Sequence, residues 1–344
     1  MEVRLIKETE REECLSLMAS CFDKSIQSIF FLYPESTLVA LIDKRIVGGI
    51  NMHIYPVKKG KLKMGYIGWV YVSKEARGQG VAKALFDEAI LFMKEEGCSD
   101  IALCIEGDNP SSFRSVSSRS GFGISSLFSQ FKRFGLSTFT IWKNASRFFD
   151  MGYFLWHYKE KDSNSLNPSK GKESVALLTT ILLNTLLFLP KLIYFPSSPL
   201  YLLLIPALSL ICRSALLLIG GNRIFLPWDS SYLTSLIFAF TPIAFPSPGG
   251  VYIRGCNWHL DKESRALAIS SLFAVATEIV LAFIFRKYLI ALSFIIPLIL
   301  LDSFFFFYPF CGFLASRIKR GVKGGYPLFV SIVLLSLTLL FFMH

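Results

Sequence analysis

Six residues, Arg77-Gly78-Gln79-Gly80-Val81-Ala82, stand between a strand-like apolar run, 67–72, and a run at 82–95 that reads as a helix. Glycines at such a turn let the chain bend tightly and bring bare backbone close to a ligand. The first amides of the following helix have no acceptor within it and lie at the positive end of its dipole. Together they make a cradle for phosphate oxygens, to which Arg77 adds fixed positive charge.

The spacing Arg77-x-x-Gly80-x-Ala82 resembles the (Arg/Gln)-x-x-Gly-x-(Gly/Ala) pyrophosphate loop of the GNAT superfamily of acetyl-CoA-dependent N-acetyltransferases. Its surroundings are similar too: a Val70-Tyr71-Val72 strand precedes the loop, and the stretch from Asn109 to Gly121-Phe122 resembles that family's second cofactor motif. The resemblance covers about residues 1–135. It implies a GNAT-like mixed α/β sheet with flanking helices, acetyl-CoA as cosubstrate and an amine as acceptor. It assigns the diphosphate to the turn of Arg77 and Gly78 and to the amides of Gln79, Gly80, Val81, Ala82 and Lys83. Val70, Tyr71 and Val72 would pair with the pantetheine arm and offer an N–H to the thioester oxygen, and Asn109 would touch the cofactor.

Acetyl transfer needs an uncharged amine, stabilisation of the oxyanion and protonation of the departing thiolate. Where many family members place a tyrosine as general acid, this chain has Ser117, with Ser118 beside it, and an aliphatic hydroxyl is a poor acid. The glutamate that many members carry on the strand before the loop is absent from residues 65–72. Glu106, at the end of the next strand, and His53, on a hairpin strand, are the remaining candidate bases; each also reads as a solvated or structural residue.

Composition divides the chain. Of its 344 residues 53% are hydrophobic, too many for a soluble protein, yet the first 160 hold most of the charge. Long apolar stretches recur from Val175, several reaching the ~20 residues that cross a bilayer. The expected organisation is a GNAT-like domain at 1–158, a polar linker at 159–174, and an all-α multi-pass transmembrane domain at 175–344 with five or six apolar segments. Candidate spans lie near 175–196, 199–219, 266–285, 288–310 and 326–343. The shorter run 231–246, interrupted by Pro242, is expected to re-enter rather than cross, because re-entry keeps the basic loops 254–265 and 317–323 in the cytoplasm with the N-terminal domain. The net charge of +11 is spread beside apolar segments, which points to anionic lipid rather than nucleic acid. Seven scattered cysteines without metal-ligand spacing read as thiols in a reducing compartment, and Met1 runs straight into a strand with no leader pattern.

Arg213, Glu278 and Asp302 lie inside apolar stretches, where ionisable residues are costly and are paired or face a cavity. Residues 249–252, 276–282 and 308–312 faintly resemble, in their order, the membrane motifs of site-2-type intramembrane metallopeptidases. His-Glu-x-x-His is absent, however, and Cys311 stands where that family has its aspartate, so the resemblance implies a scaffold without metal. Two functions remain open: a membrane-tethered acetyltransferase, or a transporter or receptor whose GNAT-like domain binds CoA esters as a regulatory input.

The finer pattern predicts a strand at 3–6, a helix at 8–19, a hairpin at 38–54 turning at Asp43-Lys44-Arg45, and a basic turn at 58–63 before the strand 66–72. A helix from 81, a strand at 101–105 and a helix from Pro110 to Gly121 follow. Strands are expected at 127–134 and 137–142, and an aromatic segment at 148–158 lying at the headgroup level or packing as a helix on the sheet.

Overall fold

The computed structural model describes residues 1–22, 24–108, 116, 121–147, 153–158, 170–220, 222–253, 260–306, 313–322 and 324–343. The chain divides into two compact units, one of residues 1–105, 111–146 and 154–166, the other of residues 106–110, 147–153 and 167–344.

The first unit is built on a seven-stranded sheet ordered β1-β2-β3-β4-β5-β7-β6. Its elements run β1 (Glu2–Leu5), α1 (Arg11–Cys21), β2 (Thr37–Ile42), β3 (Arg45–Val57), β4 (Leu62–Val72), α2 (Val81–Glu95), β5 (Asp100–Glu106), β6 (Phe122–Ile124), α3 (Leu127–Phe134), α4 (Thr138–Asn144) and β7 (Tyr153–Tyr158). Strands β1 to β4 are antiparallel neighbours, and β5 runs parallel to β4. Asp43 and Lys44 both take positive φ, 50° and 65°, so β2 and β3 are joined by the primed two-residue turn that matches strand twist. Helix α2 buries Val81, Leu85, Phe86, Ala89 and Met93, one stripe at helical spacing. It ends where Gly97 turns to φ 77°, with Cys98 N–H on the Met93 carbonyl at 2.9 Å, closing a Schellman cap.

Three readings of the sequence are corrected. Residues 127–134 and 138–144 are helices, not strands: Leu127, Phe131 and Phe134 follow helical spacing, and Ser126 Oγ caps the first by accepting from Ser129 N–H. The aromatic segment expected at a headgroup level contains β7, which pairs with β6 from Phe122↔Tyr158 to Ile124↔Trp156. Residues 170–174 of the expected linker belong to a helix, while 159–169 lie outside the described residues, as does the helix expected over 110–121 apart from Val116 and Gly121.

The second unit is largely helical: α5 (Lys170–Phe188), α6 (Ile205–Leu218), β8 (Arg223–Leu226), α7 (Ser231–Ala239), β9 (Gly250–Ile253), α8 (Leu260–Ile284), α9 (Leu289–Phe304), α10 (Ala315–Gly321) and α11 (Tyr326–Phe342). Leu210, Leu217, Ala274, Val275, Ile295 and Leu298 lie in its core. Three stretches, Glu173–Ile193, Leu200–Leu218 and Lys262–Ile284, are long and apolar enough to cross a membrane; Leu289–Phe304 and Tyr326–Phe342 are apolar but shorter. Their outer faces are apolar as well: Leu178, Leu182 and Leu186 on α5 and Ile269, Phe273, Val280 and Ile284 on α8 are all exposed.

Strands β8 and β9 pair antiparallel from Arg223↔Ile253 to Leu226↔Gly250. The intervening stretch therefore leaves and returns at one level, with its ends one strand spacing, ~5 Å, apart. Its only helix, α7, is nine residues and about 13 Å long. Lys191, fully buried, closes the C-terminal end of α7: its Nζ donates to the carbonyls of Phe238, Ala239, Thr241 and Ile243 at 2.6, 3.2, 2.6 and 3.1 Å.

Candidate active site

The parallel pairing of β4 with β5 runs from Met64↔Asp100 to Ile67↔Leu103. Beyond it, β4 residues 69–72 keep their partners on β3, from Asn51↔Trp69 to Gly48↔Val72, and have no registered partner on the β5 side among the described residues. One edge of Val70, Tyr71 and Val72 thus faces the gap where two parallel strands part. Backbone polar groups on such an edge need a partner.

The break is prepared by a bulge. Asn51 opposes Trp69 but Met52 opposes Ile67, so Gly68 is the extra residue on β4. A Cβ at Gly68 would fall on the Phe31 ring, so glycine is needed there for close approach.

The chain leaves β4 through a tight turn. Ser73 N–H donates to the Val47 carbonyl at 2.8 Å, a 3₁₀ turn spans Lys74–Ala76, and Arg77 N–H and Gln79 N–H reach back to Lys74 and Ala76, both at 3.4 Å. Gly78 and Gly80 then take φ 79° and 81°, the left-handed region that glycine enters without strain. No atom lies within 4 Å of a Cβ built on either, so backbone conformation, not packing, demands glycine. At the head of α2, Ala84 N–H donates to the Gly80 carbonyl at 3.0 Å; the amides of Gly80, Val81 and Ala82 have no acceptor among the described residues. Gln79, turned toward Ala76, is the least available amide of the group.

Positive charge is at hand but turned aside. Arg77 is exposed, and its Nε donates to the Val72 carbonyl at 3.3 Å, tying the loop to the end of β4. Tyr71 is buried with its ring beside Gly49, while Val70 and Val72 are half-buried on the opposite face.

His53 lies opposite Tyr66, one residue before the last parallel pair, at the level where β4 and β5 part. Its ring is 5.2 Å from that of Tyr33 and 4.9 Å from that of Tyr55. Burial holds its pKa below the usual histidine range against an opposing pull from Glu35, so the ring is neutral at physiological pH. Glu106 ends β5 and is grouped with residues 106–110 in the second unit, where Arg320 lies 3.9 Å away; burial raises its carboxyl above the ordinary range, with Arg320 opposing. Ser117 and Asn109 lie outside the described residues.

Sequence reading passed over Gly48. A Cβ there would meet the Tyr71 carbonyl at 2.8 Å and Val81 Cγ1 at 3.2 Å, so its absence lets the first turn of α2 settle against the sheet. The signal was a glycine pair inside a strand pattern, which marks close backbone approach.

Residues 4–122 match the Acetyltransferase (GNAT) family. That stretch is a GNAT acetyltransferase domain. Over 77 residues the chain is 36% identical to N-alpha-acetyltransferase 30 of Schizosaccharomyces pombe, covering 22% of this chain and 51% of that protein; the chain thus spans about half the length of this relative. Among solved structures it is similar to a chain of the NatC complex bound to Gag peptide and CoA, at 22% identity, covering 46% of this chain and 98% of that one, with a TM-score of 0.34. It is also similar to the PaiA N-acetyltransferase from Thermoplasma acidophilum in complex with coenzyme A, at 15% identity, covering 46% and 98%, with a TM-score of 0.32. The likeness of residues 249–312 to site-2-type peptidases gains no support from these comparisons, whose family match ends at residue 122.

Proposed function

We propose that the chain is a membrane-anchored N-acetyltransferase that moves the acetyl group of acetyl-CoA to an amine, with the α-amine of a polypeptide as the acceptor class. One observation carries the reading: amides of Gly80, Val81 and Ala82 at the head of α2 that have no partner among the described residues, beside the open edge of β4. The amides fit a diphosphate, and the edge fits an extended amide-bearing arm such as pantetheine, held as an added strand. An N–H from that edge would meet the thioester oxygen as charge develops there, a donor worth ~3 kcal/mol when aimed correctly. The identity with an N-alpha-acetyltransferase supports the acceptor class.

His53, neutral and at the parting of the strands, is the base we favour over Glu106, which faces arginine; Ser117 would assist the leaving thiolate only through water. Asn109 keeps the cofactor contact that the family resemblance gives it.

The second unit is the anchor. Helices whose inward and outward faces are both apolar suit lipid, and the return of residues 227–249 to its own level suits a re-entrant segment. Re-entry leaves the basic stretches 254–265 and 317–323 on the side of the N-terminal domain, the cytoplasm, where acetyl-CoA is available.

The test is thiol release by the full chain in detergent, with acetyl-CoA and a panel of peptides, lysine-like amines and polyamines. Turnover on peptide α-amines supports the reading. Tight acetyl-CoA binding without turnover on any acceptor would replace it with the second one, a membrane receptor or transporter carrying a CoA-ester sensor. The absence of a carboxylate from residues 65–72 is what favours that alternative.

A further inference from the structure

Arg213 on α6, Glu278 on α8 and Asp302 on α9 come from three helices and are 1%, 2% and 0% exposed. The sequence could not say whether they meet. They do, and unequally.

The guanidinium is committed to Asp302: Nε donates to Oδ2 at 2.6 Å and Nη2 to Oδ1 at 3.0 Å, the planar two-point pairing that arginine favours. Nη1 points to the Gly249 carbonyl at 3.4 Å, and Leu314 N–H gives Asp302 Oδ1 a further donor at 3.1 Å. Glu278 receives no such donor. Its Oε1 is 3.8 Å from Arg213 Nε, and both carboxyl oxygens are buried without a hydrogen-bond partner among the described residues.

Charge does not balance if both acids are ionised: one cation faces two carboxylates. Among the described residues, the other cations packed on or beside α8 are turned to other partners: Arg223 of β8 donates to the Leu217 carbonyl and to Ser270 Oγ on α8, and Arg286, just past the end of α8, donates to the Phe283 carbonyl. Helix α10 turns Arg317 and Arg320 to Asp108 and lays Lys319 over the Phe306 ring, and α11 has no charged residue. On α8 itself the nearest cation is Arg265, thirteen residues away and so ~20 Å along the axis. An ionised carboxylate left without donors in such surroundings costs several kcal/mol, and a bound proton removes that cost.

We propose that Glu278 is a proton-binding site of the helical unit: it is a neutral carboxylic acid at pH 7, beside a fixed Arg213–Asp302 ion pair. Loss of the proton to solvent base puts two carboxylates in competition for Arg213. That competition draws the guanidinium away from Gly249, the residue before β9, so proton occupancy is linked to the anchoring of the returning segment 227–249.

Infrared difference spectroscopy of the full chain in detergent, titrated between pH 6 and pH 10, tests this through the C=O stretch of protonated carboxyl groups. The Glu106→Gln background is used because burial raises the pKa of that carboxyl, which could add a second band. The expected result is one protonated-carboxyl band at pH 7 that moves in D₂O, is lost at high pH, shifts when the protein is made with carboxyl-¹³C glutamate, and is absent in Glu278→Gln. The isotope arm needs no second substitution, so it stands even if Glu278→Gln fails to fold. Absence of the band at pH 7, a shift with labelled aspartate instead of glutamate, or persistence of the band in folded Glu278→Gln overturns the proposal.

Discussion

Replacing Gly80 separates charge from backbone geometry at the phosphate cradle. Its φ of 81° and ψ of 3° lie in the left-handed region, and the space beside it is open, so a new side chain meets a conformational cost but no clash. Asn and Asp tolerate this region better than other residues with a Cβ, and at Gly80 their near-identical shapes should carry near-identical conformational cost. The pair Gly80→Asn and Gly80→Asp therefore differs by one unit of charge. A carboxylate about 5 Å from a diphosphate bearing about two charges is repelled by ~1.7 kcal/mol even at the dielectric constant of water, a ~17-fold loss of affinity. Calorimetry of acetyl-CoA binding to the full chain in detergent should show Asn within a few-fold of the natural protein and Asp at least tenfold weaker than Asn. The gap should narrow as salt is raised, because an exposed repulsion is screened. Equal affinities for the two variants at low salt would place the diphosphate elsewhere and remove the basis of the proposed site.

Asp100 is 2% exposed and accepts from Arg133 Nε and Nη2, both at 3.0 Å, and lies 2.8 Å from His157 Nε2. Because Arg133 is half exposed, Asp100→Asn should cost about 2 kcal/mol, below the range for fully buried pairs, and cut amide-exchange protection of β5 and β7 by ~30-fold. Burial opposes ionisation of Asp100, but His157, Arg133 and Ser99 outweigh it and hold the carboxyl well below its usual range. Its stabilisation is therefore complete above the ordinary aspartate value, ~4, and lost as pH falls below it; the acid-induced loss of protection should be smaller in the variant. Lys191→Met removes the donor from four carbonyls at the end of α7 and should destabilise that end by about 3 kcal/mol, read as faster exchange over 238–243 with α8 unchanged.

The parts read correctly from sequence were those decided by neighbours in the chain. The loop at 77–82 has its glycines where the backbone needs positive φ, and Asp43-Lys44 turns a hairpin whose strands flank it. Errors arose where two local signals competed. Residues 127–142 are rich in aromatics, which suit strands, but Leu127, Phe131 and Phe134 keep helical spacing and Ser126 supplies a cap. In the sequence of β7 a run of aromatics hid the alternation that Leu155 and His157, both buried, reveal. The pairing of β8 with β9 joins four-residue strands more than twenty residues apart, with no turn chemistry to announce it. Arg213, Glu278 and Asp302 were each legible as out of place; that they share one site is decided by how three helices pack.

The missing carboxylate on β4 constrains the acceptor through acid–base arithmetic. A lysine amine, with a pKa near ~10.4, is about 0.1% neutral at pH 7.5, whereas a peptide α-amine near ~7.8 is about one third neutral. The difference, roughly 250-fold, is about 3 kcal/mol, within the range that general-base catalysis supplies. Among the described residues His53 is the neutral base at the parting strands, and in the role proposed for it above the site favours the acceptor that needs least deprotonation. With matched peptides offering either amine, kcat/KM for the α-amine should exceed that for lysine by at least ~100-fold at pH 7.5, and the ratio should shrink as pH approaches 10. His53→Gln should lower kcat/KM and remove a limb of the pH profile below the usual histidine range, leaving the limb set by the amine. Equal rates on both amines at pH 7.5 would require a stronger base than β3 and β4 provide, and would return Glu106 to that role.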